Sequence, residues 1–392
     1  MVDPAGIVPV IYTSFSRERK KKMKKRTLLL LLCLLGLLLC FAGCESQAVE
    51  TQAPTEATAA PTEAPTEAPT EAPTEAPTEA PTEPPVTYTN ALTGEVLEEA
   101  QTTRIFGVTI NNIPAALPHI GVSEADLFFE MFVNDYATRG LALYSDITKV
   151  ERIGSVRSMR YNFTDLAVAY DAVIAHAGGS EEVLSDARRN GIAHINISTD
   201  SSTDYAVRDK DRYHSGYAIE HCLFAKGAGL YELMEEKGVR VTRKEDKDYG
   251  LHFAENGTPE AGEAASKIDI TFNLKGNKKL TTMTYSEDLG KYIYTQYGKQ
   301  ADSVKEENLE TFENVFVIIT KVTNKGVYHV ADLDGSGKGY FACGGKIIPV
   351  QWHHEAETDA ITFTLEDGTP LIQGIGNSYI AIVPTTSTVS YE

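Results

Sequence analysis

The sequence predicts an α+β protein in which a mixed α/β domain at residues 87–240 precedes a mostly antiparallel β domain at residues 241–392. In the first segment, short apolar runs typical of buried strands alternate with stretches whose apolar residues recur at helical spacing. The second segment has strict apolar–polar alternation, separated by turn-forming residues. We therefore expect one sheet covered by helices, followed by hairpins.

Residues 1–44 have the pattern of a bacterial lipoprotein signal. Basic residues 24–26 precede a leucine-rich run at residues 28–39, and Ala42 and Gly43 precede Cys44. A basic start, a short apolar run and small residues are typical of an export signal. The resemblance implies that Cys44 carries a diacylglycerol and that the preceding peptide is removed. Met23 fits the start of such a signal better than Met1 does.

A retained transmembrane helix is the alternative interpretation of the same run. Residues 28–43 are shorter than the roughly 18–20 apolar residues that span a bilayer. Both interpretations place the remaining chain at the membrane and outside the cytoplasm. Two acyl chains on Cys44 are sufficient for stable anchoring.

The composition of residues 45–86 predicts a disordered tether. The four-residue unit Pro-Thr-Glu-Ala repeats through this low-complexity segment, which has too little apolar surface to form a core. Proline at every fourth position excludes a stable helix and favours an extended chain. One interpretation is a spacer that lifts the folded part away from the membrane. The other is a repeat whose length has no specific function.

The charge of the mature chain excludes classes of partner. Residues 1–43 carry eight basic and two acidic residues, so the remainder has 28 basic and 53 acidic residues, a net charge of −25. Nucleic acids and anionic lipid headgroups require a basic surface, so we expect neither as a partner. Cys222 and Cys343 are the cysteines remaining after Cys44, and we expect both to be buried free thiols rather than a disulfide.

The elements of the first domain follow from periodicity. Predicted strands lie at residues 105–110, 127–133, 141–144 and 172–176. Predicted helices lie at residues 158–170, from Ser180 onwards and at residues 220–237, the last ending at Gly238. Strands of the second domain are predicted at residues 268–274, 315–319, 346–352, 361–365 and 379–383.

Basic and glycine residues gather near the ends of these elements. Arg157 and Arg160 precede a helix, Arg139 precedes a strand, and His176 ends a strand that turns into a helix through Gly178 and Gly179. Guanidinium groups suit carboxylates and phosphates, and a helix N-terminus offers backbone N–H groups to an anion. We therefore predict a pocket for an anionic ligand. Its predicted residues are Arg139, Arg157, Arg160, His176, Gly178, Gly179 and Arg212.

Several motifs together resemble the YerB lipoproteins, exported proteins of Gram-positive bacteria with a two-part domain of unknown function. The motifs are Asn111-Asn112, Thr138-Arg139, Gly154-Ser-Val-Arg157-Ser158, His176-Ala-Gly-Gly179-Ser180 and Arg208-Asp209 with Arg212. The resemblance covers residues 90–384. It implies an envelope location and a two-part fold, and it implies no reaction.

We expect no cofactor and no metal. The segment Gly335-Ser-Gly-Lys338 lacks the spacing of a phosphate loop. A calcium-loop pattern begins at Asp332 but has Cys343 at the twelfth position, where glutamate is required.

Three functions remain open. The main hypothesis is a membrane-anchored envelope lipoprotein that binds an anionic wall component or an envelope protein; the arginines could instead form buried pairs with Asp165, Asp171 or Asp209. The alternative is a wall hydrolase using His176 with Asp171, or His214 with Asp209. No Gly-x-Ser-x-Gly elbow is present, so we expect binding rather than catalysis. The third is a scaffold that positions wall-synthesis enzymes.

Overall fold

The computed structural model describes residues 87–135, 137–199, 203–300 and 309–392, and the predicted signal, Cys44 and tether lie outside these residues. The described part contains four α-helices: α1 Tyr161–Ala169, α2 Glu181–Arg189, α3 Lys210–His214 and α4 Gly227–Glu236. Single 3₁₀ turns lie at Pro114–Ala116, Ile147–Lys149 and Ile219–His221.

Strands account for most of the regular structure. Up to residue 240 they are β1 Tyr88–Thr89, β2 Val96–Leu97, β3 Phe106–Asn112, β4 Leu127–Asn134, β5 Ala137–Tyr144, β6 Ile153–Gly154, β7 Val173–His176, β8 His194–Asn196, β9 Ala206–Arg208 and β10 Leu223–Ala225. Beyond it they are β11 His252–Ala254, β12 Glu263–Ala264, β13 Lys267–Leu274, β14 Asn277–Ser286, β15 Lys291–Gln296, β16 Lys299–Gln300, β17 Thr311–Phe312, β18 Asn314–Thr320, β19 Val322–Lys325, β20 Tyr328–Ala331, β21 Gly335–Cys343, β22 Lys346–His354, β23 Thr362–Thr364, β24 Ile372–Gly374, β25 Ser378–Pro384 and β26 Thr388–Tyr391.

The largest sheet of the described residues has 11 strands, in the order β12-β22-β21-β18-β25-β4-β5-β3-β7-β8, with β23 beside β22. The strands that meet at its centre come from both halves of the chain, because β25 pairs in parallel with β4 on one side and with β18 on the other. A second sheet of six strands has the order β16-β15-β14-β13-β26, with β17 beside β15.

Two hydrophobic cores cover opposite faces of the large sheet. One includes Phe128 of β4 together with Phe272 and Tyr294 of the six-stranded sheet. The other includes Phe129, the next residue of β4, together with Phe163 of α1. Successive strand residues point to opposite faces, so one strand supplies both cores. Such a strand is apolar throughout, which is why β4 has a nearly continuous apolar sequence.

The predicted fold class is confirmed, since helices are interleaved with strands before residue 240 and strands dominate after it. Local sequence signals also predicted helix ends correctly. Ser180 caps α2, its side-chain oxygen accepting from the Val183 amide, and two glutamates occupy the first turn. Gly238, with φ of +69°, follows α4. The division into two domains near residue 240 stays a prediction.

The predicted helix at residues 220–237 is wrong over its first half. Leu223–Ala225 is strand β10, which pairs with β6 and β9 on its two sides, and α4 begins only at Gly227. All three residues of β10 are buried. Tertiary pairing on both edges therefore overrides a local sequence that is compatible with a helix.

The prediction of two buried free thiols is confirmed: Cys222 and Cys343 are both free and buried. Burial and the nearby carboxylate of Glu313 together raise the pKa of the Cys343 thiol to about 12. The thiol is therefore protonated and unreactive at neutral pH.

Candidate functional site

The segment that carries Arg157 and Arg160 lies between β3 and the end of β7. The Arg157 amide donates to the carbonyl of Thr109 at 2.9 Å, and the Ala177 amide donates to the carbonyl of Arg157 at 2.8 Å. The Met159 amide donates to the carbonyl of Gly178 at 2.9 Å. These backbone bonds hold the segment extended until α1 begins at Tyr161, so the two arginines precede the helix without being part of it.

Arg139 reaches the same segment from β5. Its Nη1 donates to the carbonyl oxygen of Ser158 at 2.9 Å, and the residue is only 6% exposed. Its Nε is buried and has no hydrogen-bond partner among the described residues. Burial lowers the pKa of the guanidinium well below its ordinary value, and the charges of Arg160 and Arg157 lower it further. Three guanidinium groups therefore come close enough to repel one another.

Arg160 lies beside an aromatic ring from the other half of the chain. Its Nη1 donates to the carbonyl of Met159 at 2.7 Å, and its guanidinium carbon lies 4.8 Å from the ring centre of Tyr328 in β20. Burial lowers the pKa of Arg160, whereas Tyr328 raises it and Arg157 lowers it. A cation over an aromatic face is attracted by the ring quadrupole, which offsets part of the cost of burial.

The arginine cluster, which we define as Arg139, Arg157 and Arg160, receives little charge compensation from the carboxylates of the described residues. Among the described residues, the ion pair recorded for it joins Arg157 Nη2 to Glu220 Oε1 at 3.8 Å, beyond hydrogen-bonding distance. Two of the three carboxylates suggested as structural partners bind other arginines. Asp171 binds Arg240 at 2.6 Å, and Asp209 binds Arg152 at 2.6 Å.

His176 ends β7 next to the cluster and is fully buried. Its Nδ1 lies 2.8 Å from the carbonyl oxygen of Gly178, and its Nε2 lies 3.0 Å from Nδ1 of His194. A carbonyl oxygen only accepts, so Nδ1 of His176 carries the proton and Nε2 accepts from His194. Burial lowers the pKa of His176 to about 4, opposed by the bond to Gly178 and assisted by His194. The imidazole is therefore neutral at pH 7.

Gly178 and Gly179 lie between His176 and α2, as the spacing requires. Gly178 has φ of +79° and its amide donates to Oδ1 of Asn196 at 2.9 Å. The left-handed conformation explains the glycine. Because Asn196 occupies this amide, the predicted backbone cradle for an anion is at least partly filled by the protein itself.

Arg212 binds the loop that contains the 3₁₀ turn Pro114–Ala116. It donates through Nη1 to the carbonyl of Pro118 at 2.9 Å and through Nη2 to the carbonyl of Ala116, and it stacks 4.3 Å from the ring centre of Tyr217. Burial lowers its pKa and Tyr217 raises it. The residue thus fixes a loop. Burial lowers the pKa of His221, and the charges of Arg157 and Arg212 both lower it further.

The proposed catalytic pairs are not formed. Asp171 lies at the opposite end of β7 from His176, where Arg240 binds both its carboxylate oxygens, at 2.7 and 2.6 Å. Asp209 caps α3 by accepting from the Arg212 amide at 2.9 Å, and the ring of His214 packs against Tyr213. The expected base–carboxylate contacts are replaced by structural ones.

Sequence reasoning missed a buried polar network around Glu130. Its Oε1 accepts from Lys279 Nζ and Thr138 Oγ1, and its Oε2 accepts from the hydroxyls of Tyr294 and Tyr379 at 2.9 and 2.8 Å. Burial opposes ionisation, but the charge of Lys279 and these hydrogen bonds outweigh it, and the pKa of Glu130 is lowered. A glutamate inside the apolar run of β4 was the available signal.

The described residues hold no group of three or more His, Cys, Asp or Glu side chains that could bind a metal ion. In the same part of the chain, no helix has the length and apolar character needed to cross a membrane.

The fold defines an α+β protein with three neighbouring arginines in the first half of its chain. Family comparison agrees: residues 92–240 match the N-terminal domain, and residues 268–380 the C-terminal domain, of the protein of unknown function DUF3048. The chain belongs to this family, whose two domain models together match more than half of it. Neither description assigns an activity.

Two findings connect the chain to one protein of this family. It is 25% identical over 314 residues to YerB of Bacillus subtilis strain 168, described provisionally as a lipoprotein, covering 76% of this chain and 87% of that protein. The crystal structure of YerB from Bacillus subtilis matches with a TM-score of 0.66 at 21% identity, covering 77% of this chain and 99% of that one. The structural match supports the fold.

Proposed function

We propose that this protein is a lipid-anchored envelope protein that binds an anionic ligand through the arginine cluster. The anchor is supported by the position of Cys44 directly after Ala42 and Gly43, and by the lipoprotein description of the related YerB. A diacyl anchor on Cys44 would hold the folded part at the outer face of the membrane.

The observation that carries the ligand hypothesis is the uncompensated charge at Arg139. Arg139 is 94% removed from solvent and its guanidinium is bonded to a neutral carbonyl, with two further arginines nearby. Burying a charge without an opposite charge is costly. An anion bound at the cluster would remove this cost in the bound state, so the site favours a carboxylate or phosphate.

Arg157 is the residue through which a ligand would enter. Its side chain is 29% exposed, whereas Arg139 is buried behind it. The ligand we propose is an anionic component of the cell wall. Carboxylates of an acidic envelope protein have the same chemistry and would meet the same three guanidinium groups.

The test is a thermal-shift measurement on the mature full-length protein in neutral detergent, with a soluble muropeptide digest as the probe. Saturating ligand stabilises the folded state by about 2.7 kcal/mol at 100 times Kd. We expect this shift in the wild type and not in Arg157→Gln. The control Arg188→Gln removes an exposed arginine from α2 and should keep the shift.

Arg157→Gln itself should change the unfolding free energy by less than about 1 kcal/mol, because its distant contact with Glu220 is solvent-exposed. Two results would show that the cluster has only a structural role. One is a full ligand-induced shift in Arg157→Gln; the other is a severe loss of stability in Arg157→Gln together with no ligand-induced shift in the wild type.

A further inference from the structure

A second basic site lies outside the arginine cluster, in a cleft of about 830 Å³ beyond the end of β8. Its walls come from β9, the start of α3, β10 and the residues that flank them. The lining residues are Arg152, Ile197, Ser198, Thr203, Ala206, Val207, Arg208, Asp209, Lys210, Asp211, Leu223 and Lys226. None of the three cluster arginines is among them.

The cleft carries a net positive charge in an acidic protein. The described residues of its lining include four cationic side chains and two carboxylates, which together carry a formal charge of +2, whereas the whole chain has −19. Asp209 is bound to Arg152 at 2.6 Å. Among the described residues, neither Lys210 nor Lys226 forms an ion pair with a carboxylate within 4.0 Å. Both ammonium groups are thus available to a ligand.

Apolar residues form the floor of the same cleft. Ile197, Ala206 and Leu223 line it and are each at most 5% exposed. Arg152 is held in place at one wall, with its guanidinium carbon 4.7 Å from the ring centre of Phe224. Pockets for small molecules have volumes of about 300–1,000 Å³ and combine an apolar lining with a few charged groups. This cleft lies within that range of volume, and charged side chains surround its apolar floor.

We propose that this cleft binds a small phosphorylated molecule. A phosphate monoester carries about −1.5 to −2 charges at pH 7, which balances the +2 of the lining, whereas a carboxylate supplies only one. The phosphate lies between Lys210, Lys226 and Arg152, and the body of the molecule covers Ile197 and Leu223. The proposal does not depend on the arginine cluster, because the two sites share no side chain.

The experiment is isothermal titration of the mature full-length protein in neutral detergent, with phenyl phosphate as the probe. Inorganic phosphate and benzoate are the comparison ligands, because each has one of the two features that the cleft recognises. We expect phenyl phosphate to bind at least about tenfold more tightly than either. Lys210→Gln/Lys226→Gln should weaken its binding at least about tenfold.

Three further variants make the result specific. Lys321→Gln/Lys338→Gln removes two exposed lysines outside the cleft and should bind within about twofold of the wild type, as should Arg157→Gln. Lys210→Arg/Lys226→Arg keeps the charge and should keep most of the binding, which separates loss of charge from loss of folding.

Any of four results would overturn the proposal. They are no saturable binding of millimolar phenyl phosphate, equal affinity for benzoate, unchanged binding in Lys210→Gln/Lys226→Gln, and loss of binding in Arg157→Gln instead. The last result would place the probe at the arginine cluster and would leave the cleft without its ligand.

Discussion

His176 shows how a single residue combines a local signal with a tertiary environment. Its position at the end of β7, before two glycines, was predicted from the sequence. Its partner His194 lies 18 residues further on, in the neighbouring strand β8. The resulting hydrogen-bond chain fixes the tautomer of a buried, neutral imidazole.

His176 should make stability fall as the pH drops from about 6.5, the ordinary pKa of histidine, to about 4, its pKa in the folded protein. In this window the unfolded chain takes up a proton that the folded chain does not, so acid favours unfolding. The contribution is at most about 1.4 kcal/mol per pH unit for one group. Urea unfolding at several pH values measures it.

His176→Asn should flatten the pH dependence in this window, whereas His252→Asn, which removes an exposed histidine, should leave it unchanged. The pKa of His194 is also lowered by burial, and the variant removes its partner, so the measured change belongs to the pair. Parallel pH profiles for wild type and His176→Asn would contradict this account.

Strand β4 explains at the level of elements why a glutamate is buried. Phe128, Glu130 and Phe132 share one face of the strand, and the two rings lie 6.1 and 5.9 Å from Tyr294 and Phe272 of the six-stranded sheet. Glu130 therefore has to enter this core. The facing strand β14 supplies Lys279, so two elements of different halves carry opposite charges at one position.

Lys279→Met should lower the unfolding free energy by about 3–5 kcal/mol, because it leaves the buried carboxylate of Glu130 without its cation. Lys278→Met is the matched control: the preceding residue of β14 faces solvent, so its loss should cost less than about 0.5 kcal/mol. Chemical denaturation of both variants measures the difference. Similar stabilities would mean that the hydroxyl groups alone satisfy Glu130.

At the scale of the whole molecule, the sequence predicts a strongly acidic folded part on an acidic tether. Residues 45–86 contain glutamates and no lysine or arginine, so the tether and the folded part are both acidic. This negative charge disfavours attraction to anionic lipid headgroups, so the proposed membrane location would depend on the lipid on Cys44.

Cys44→Ser should release the protein from the membrane fraction or leave a precursor of higher mass, because the thiol that takes the lipid is absent. Cys33→Ser, a change within the predicted leader, should leave anchoring and mature mass unchanged. Membrane fractionation and intact-mass measurement give the result. Wild-type retention and mass in Cys44→Ser would refute the lipoprotein prediction.

The arginine cluster was predictable in part. The sequence placed Arg157 and Arg160 before a helix and His176 at a strand end because local periodicity encodes element boundaries. It did not show that the guanidinium of Arg139 binds the carbonyl of Ser158, whereas the guanidinium of Arg212 binds the loop at Pro118. Where a long side chain points depends on which elements are neighbours, and local sequence does not contain that information.

The sequence by itself determined the class of fold, the order of most elements, the Ser180 cap and the burial of Cys222 and Cys343, since each follows from local composition. Only the tertiary structure decided that β25 lies between β18 and β4, and that Glu130 meets Lys279 across 149 residues. Pairing with β6 and β9 likewise made Leu223–Ala225 a strand. These outcomes depend on backbone hydrogen bonds and buried charges between segments distant in sequence, whose free energy exists only once the chain has folded.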